Sequence, residues 1–159
     1  MKKLALLFSG LSLLVASGCS TSNDYVEEAP LIGFWQPLKE VITTVKVGEQ
    51  PISDVITYTD CQKESRWWFS SEVKGKRIDV KDPVTPGLCD IQPDANFTYT
   101  YDNNSKNMQM KYQGVVAPVN VKVITLNQAT LNLAVREETE DPTVFKTRTY
   151  TFKRVNPQH

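Results

Sequence analysis

Residues 97–112 read FTYTYDNNSKNMQMKY. Phe97, Tyr99 and Tyr101 are separated by Thr98 and Thr100, and Met108, Met110 and Tyr112 alternate with Gln109 and Lys111. A period of two belongs to a strand with one face buried and the other wet. Between the runs stands Asp102-Asn103-Asn104-Ser105, whose short polar side chains bond to nearby backbone and start turns. The stretch therefore predicts an antiparallel hairpin with its aromatic and thioether side chains on one face. The turn must set that register, because a slip of one residue would expose one of the two sets.

The same punctuation continues on both sides of the hairpin. Short β-branched and aromatic runs predict further strands at 34–47, 55–59, 66–73, 77–80, 119–126, 130–136 and 144–155. Leu131, Leu133 and Val135 alternate with Asn132 and Ala134. Residues 80–93 carry Pro83, Pro86, Gly87 and Pro93 and read as a loop. No stretch after the first twenty residues has a helical period. The second half reads as an up-and-down meander, and a sheet of this length closes or packs to hide its edges. The expected fold is all-β, a small up-and-down antiparallel barrel.

The first residues state an address. Lys2 and Lys3 precede an uncharged, mostly apolar run from Leu4 to Val15. That run is too short for the roughly 20 residues of a spanning helix and suits a signal peptide. Ala16-Ser17-Gly18-Cys19 resembles the lipobox of bacterial lipoproteins, where the cysteine thiol is acylated with diacylglycerol and becomes the new N-terminus. The resemblance implies a signal peptide at 1–18 and lipid attachment at Cys19; the alternative is an ordinary cleaved signal with an incidental cysteine. Each buried methylene contributes about 0.8 kcal/mol, so two or three acyl chains anchor a protein without a spanning helix. Residues 19–30 then form a flexible tether, and Ser20 to Pro30 reach about 36 Å when extended. Asp24, Glu27 and Glu28 resemble the acidic stretches that send lipoproteins of Bacteroidetes-type bacteria to the cell surface. The expected location is the cell envelope, anchored by lipid in the outer membrane, with surface exposure implied by the acidic stretch.

Removing residues 1–18 leaves 141 residues, enough for one domain, with 16 basic against 18 acidic side chains. A net charge of −2 and the absence of basic runs give no reason to expect nucleic acid. With Cys19 taken by lipid, Cys61 and Cys89 remain, and in an oxidising compartment such a pair forms a disulfide. The closed loop would contribute about 3.6 kcal/mol in the chain-entropy model. Two free thiols or a metal site are the alternatives, although two thiols with no histidine nearby do not complete a zinc tetrahedron. No metal or cofactor is expected.

Leu31-Ile32-Gly33-Phe34-Trp35 opens the first strand, and Tyr150-Thr151-Phe152-Lys153-Arg154-Val155 closes the last. With the cysteine pair and the meander between them, residues 31–155 resemble the lipocalin-like domains of Bacteroidetes lipoproteins, and 156–159 form a tail. Gly33-x-Trp35 is similar to the Gly-x-Trp signature of lipocalins. The resemblance implies that Trp35 plugs the closed end of the barrel and that an arginine near the last strand stacks on it. Arg154 is the best positional match, and Arg148 is the other. It also implies a cup able to hold a small apolar ligand, although such a barrel can equally be filled by its own side chains.

Catalysis finds little support in the residue inventory. The one histidine is the terminal His159, which removes Ser-His-Asp and Cys-His chemistry. Glu137 with Glu138 and Glu140 with Asp141 fall in a turn-like stretch and read as a solvated loop, and Asp79, Asp82 and Asp90 do not match an EF-hand spacing. Trp67 and Trp68 are adjacent in a strand, so one should point inward and one outward. The candidate ligand contacts are Trp67, Trp68, Tyr99, Tyr101, Met108, Met110 and Tyr112, with a packed core as the plainer alternative for most of them. The expected protein is a non-enzymatic, membrane-anchored binding module for a small apolar molecule or a glycan. The rival is a protein-interaction or inhibitor module that uses the outer face or loops against an envelope protein.

Overall fold

The first six residues of β1 (Gly33–Lys46) carry no charge and bury Trp35 and Pro37, whereas the rest brings in Lys39, Glu40 and Lys46, and the molecule is organised along that change. The computed structural model describes residues 30–157; Cys19, the signal stretch, most of the tether and His159 lie outside the described residues. After β1 come β2 (Ile52–Thr57), a 3-10 turn at Gln62–Glu64, β3 (Arg66–Phe69) and β4 (Lys74–Ile78). A short ladder of β5 (Val80–Lys81) and β6 (Asp90–Ile91) follows. The chain then makes the meander β7 (Ala95–Asp102), β8 (Asn107–Tyr112), β9 (Val119–Leu126), β10 (Thr130–Glu137) and β11 (Val144–Val155).

The strands form a closed antiparallel barrel. Neighbours run β1-β3-β4-β7-β8-β9-β10-β11, and β11 returns to pair with β1 from Phe34↔Val155 to Lys46↔Val144. β2 lies on the same edge of β1 as β3: β3 pairs with Gly33–Trp35, and β2 with Lys39–Thr44. The two are halves of one barrel strand split by residues 58–65, so the ring has eight positions. Among the described residues, β2 keeps one edge unpaired. β4 stops beside β3, and the chain turns away into β5 and β6 instead of continuing along β2.

The hairpin at 97–112 has the register that the alternation requires. Tyr99 pairs with Met110, Tyr101 with Met108 and Phe97 with Tyr112. Its turn is held by Asp102, whose Oδ1 accepts the Asn104 N–H at 2.9 Å and whose Oδ2 accepts the Ser105 hydroxyl at 2.7 Å. Lys106 completes the reversal with a φ of 57°. Phe97, Tyr99, Met108 and Met110 are buried, and Tyr101 and Tyr112 are half-buried against the same cluster. Trp35, Phe69, Phe152, Leu131 and Leu133 join them, each 0% exposed.

Some boundaries differ from the sequence expectation. The third strand ends at Phe69 because Ser70 to Val73 make the turn, in which the Ser70 N–H donates to Lys74 O at 2.9 Å. The next strand begins at Lys74, before the apolar signal at Ile78. Residues 80–93, read as a loop, carry a two-residue ladder at their base. β2 starts at Ile52, before its expected start, and stops at Thr57.

Candidate functional site

Three regions hold the candidate residues: the closed end of the barrel, its mouth, and a groove on the outer wall.

At the closed end, Trp35 is completely buried and donates its Nε1–H to Leu31 O at 2.9 Å. The Arg154 guanidinium lies over its ring, 4.3 Å from the centroid, a contact worth about 0.5–2 kcal/mol. Arg154 also donates to the backbone oxygens of Pro30 and Ile32, so it clasps the entry segment against the tryptophan. A Cβ at Gly33 would sit 2.6 Å from Arg154 Nη1, and the Gly33 φ of 145° suits glycine. The arginine therefore needs a glycine two residues before the tryptophan. Arg148, the other candidate for this stacking, sits at the opposite end of the barrel.

There Arg148 belongs to the mouth. It donates to Glu40 Oε1 and, from Nε, to Glu137 Oε1 at 2.5 Å. Lys146 Nζ lies 3.1 Å from Glu137 Oε2, and the Tyr58 hydroxyl donates to Glu40 Oε2 at 2.9 Å. Glu40 is buried and shares both of its oxygens, as a charge away from water must. Burial pushes the Tyr58 phenol well above its usual range, and the bond to Glu40 adds to the effect. Burial also raises Tyr112 and Tyr150. For Glu137, burial works upward, but the bonds to Arg148 and Lys146 outweigh it and hold the carboxyl below its ordinary range. Arg77 donates to Asp79 at 2.7 Å and lies over Trp67, 5.1 Å from the ring centroid. A cavity of about 200 Å³ remains among Glu40, Tyr58, Trp67, Arg77 and Tyr150.

Residues 58–65 roof this cavity, and the cysteine pair holds the roof. Cys61 and Cys89 form a disulfide, their Cα atoms 5.4 Å apart, joining the insertion to the end of the Pro-rich loop. Ser65 Oγ accepts the Val80 N–H at 2.9 Å, and Gln36 donates to Lys63 O at 2.5 Å. The sequence signals the pair but not the lid it fastens.

The groove lies outside. Alternation turns Trp67 into the core, 5% exposed, and Trp68 outward, where one face stacks on Phe34 with centroids 5.1 Å apart and planes 7° from parallel. Trp68 lines a groove of about 780 Å³ across the outer faces of β3, β4, β7 and β8. The segment after β8 walls it: the Val115 N–H donates to Tyr112 O at 3.2 Å across a turn whose Gly114 has φ 80°, a backbone state that favours glycine. Val115 and Val116 are exposed along that wall, and Lys74, Lys76, Asn96, Thr98, Lys111 and Gln113 supply polar groups.

Of the seven candidate contacts, Trp68 faces the groove, and Tyr112 touches its lining while packing, like Tyr101, against the core that holds Tyr99, Met108 and Met110. Trp67 spans core and mouth. The polar mouth residues Glu40, Tyr58 and Arg77 carry no motif: Glu40 faces inward past a bulge in β1, and Tyr58 lies just beyond the end of β2.

The family model described as "Lipocalin-like domain" matches residues 31–133. No curated protein matches. Among solved structures, lobster apocrustacyanin A1 is similar at 11% identity with a TM-score of 0.47, covering 80% of this chain and 62% of that protein's length. With the ring of eight antiparallel positions and Trp35 under Arg154 at its closed end, the match over residues 31–133 shows that this chain belongs to the lipocalin-like domain family.

Proposed function

We propose that this protein is a non-catalytic binding module of the cell envelope, held by lipid on Cys19 in the outer membrane, which takes a small apolar molecule or a glycan in the groove beside Trp68. Lipocalin-like folds are in general non-catalytic and typically bind small hydrophobic ligands. The observation that carries the reading is the distribution of free space. Phe69, Met110, Leu131, Leu133 and Phe152 are at most 1% exposed and fill the lower barrel, while the outer wall offers about 780 Å³ beside an outward tryptophan. That volume lies within the roughly 300–1,000 Å³ common for small-molecule sites.

The test is a native mass spectrum of the full chain purified from membranes. A co-purified small molecule that disappears in Trp68→Ala, at unchanged melting temperature, supports the groove. A ligand retained by Trp68→Ala but lost on Tyr58→Phe would move the site to the mouth. Cys19→Ala should release the chain from membranes or leave it unprocessed. Processing and membrane fractionation like the parent would remove the anchor from the proposal.

One observation favours the rival reading. β2 presents an unpaired edge with Ile52 and Val55 more than 60% exposed, the kind of edge to which a partner strand can add. A partner protein bound there would be lost on Val55→Pro while the Trp68 groove stayed intact.

A further inference from the structure

The lining of the Trp68 groove is chemically one-sided. Among the described residues, three lysines line it and no carboxylate does. Lys76 is neutralised by Asp94 at 2.8 Å, whereas among the described residues no carboxylate lies within ion-pair distance of Lys74 or Lys111. Register places these two in one row across the sheet: Lys74 pairs with Thr98, and Thr98 pairs with Lys111. With neighbouring strands about 4.8 Å apart, the two stems stand about 10 Å apart, one on each side of a threonine hydroxyl. The next row holds Trp68 opposite Lys76 and Lys76 opposite Asn96, and the Gln113 N–H donates to Asn96 O.

We infer that the groove recognises an acidic saccharide, a glycan segment bearing carboxylates. This inference rests on the groove being the ligand site and names the class of ligand. Each part of the lining matches a part of such a molecule. The C–H face of a sugar ring stacks on Trp68, hydroxyls bond the amides of Asn96 and Gln113 and the hydroxyl of Thr98, and carboxylates reach Lys74 and Lys111. A purely apolar ligand would leave two lysines and two amides without partners on desolvation. A peptide strand would need free backbone groups, and here those of β4, β7 and β8 are used by the barrel ladders. A second outer groove of about 760 Å³ across β7–β11 has, among the described residues, no outward aromatic ring, and its lining includes Asp102, so it lacks both features.

The experiment is calorimetry on the full chain held in phosphatidylcholine nanodiscs. The probes are tetragalacturonate, its neutral methyl ester and a hexaglutamate peptide. Tetragalacturonate should bind most tightly and weaken as salt rises. The double variant Lys74→Gln/Lys111→Gln should weaken it roughly tenfold and leave the ester unchanged, while Trp68→Ala weakens both saccharides. Equal binding of acid and ester would overturn the role of the lysines while leaving the groove as a neutral-ligand site. Equal binding of hexaglutamate would overturn the saccharide in favour of an acidic protein. Absence of saccharide binding would overturn the inference alone, because a co-purified apolar ligand lost in Trp68→Ala would still uphold the groove. If that ligand is also absent, the groove reading falls with it.

Discussion

The two ends of this barrel solve the burial problem in opposite ways. Toward the entry segment the interior is apolar: Trp35, Phe69, Phe97, Met110, Leu131 and Phe152 interlock, and Phe69 meets Tyr99 edge to face at 5.1 Å. Toward the mouth the inward positions hold Glu40, Glu137 and Arg148, tied into a hydrogen-bonded cluster under a roof of irregular chain, with Arg77 bonded separately to Asp79. The apolar end gains stability from area removed from water and needs no specific partners. The polar end is stable only while every charge stays paired, and it leaves its neighbour β2 exposed along its whole length. One wall of strands therefore carries an apolar plug and a polar cluster whose stability depends on pairing, and perturbations should separate them.

The largest separation should come from Trp35→Ala. Truncating a fully buried tryptophan costs about 3–5 kcal/mol, and here it also removes the platform of Arg154. Urea denaturation at neutral pH should show a loss in that range; a loss below 1 kcal/mol would mean that Trp35 is not the keystone of the closed end. Tyr99→Ala should cost about 3 kcal/mol for the same reason, and it also removes the hydroxyl that donates to Ser71 O at 2.6 Å.

Opening the roof should come next. Replacing Cys61 and Cys89 with serine should cost about 3.6 kcal/mol globally, since the bridge closes a long loop. Amide exchange should speed first in residues 58–65 and 82–89, with the β7–β11 ladders moving only with global stability. Uniform acceleration instead would make the two ends one cooperative unit.

Glu40→Gln should cost about 2 kcal/mol, the scale of a hydrogen bond to a charged group. It leaves Arg148 with Glu137 alone and weakens the acceptor of Tyr58. In a double-mutant cycle with Arg148→Met, the two losses should fail to add, because they act on one contact.

The smallest effects are in pH. Glu137 has a depressed folded value, so its contribution is present above the ordinary value of 4.5 and is lost as pH falls through the lower folded value. Tyr58, Tyr112 and Tyr150 have raised folded values, so their contribution is present below pH 10.0 and is lost as pH climbs beyond it. Stability should be flat between those limits and decline outside them. Tyr58→Phe should make the alkaline decline shallower, and an unchanged alkaline limb would exclude Tyr58 from the polar cluster.

The closed end was far more legible in the sequence than the mouth. Strand alternation is local, so the hairpin at 97–112 and the inward set of Leu131 and Leu133 follow from neighbouring residues alone. Gly33 and Trp35 carry a family signature, and the cysteine pair is a matter of parity. These features depend on pleat, turn chemistry and composition, which any stretch of chain expresses by itself. Which strand meets which is decided only across the closed ring. The split of one barrel strand into β2 and β3, the bulge between Pro37 and Lys39 that turns Glu40 inward, and the meeting of Glu40 with Arg148 across 108 residues are tertiary events. So is the groove, which exists because the turn at Gly114 lays Val115 and Val116 beside a tryptophan that lies three strands away. Periodicity fixes which way a side chain faces; only closure of the barrel fixes what it faces.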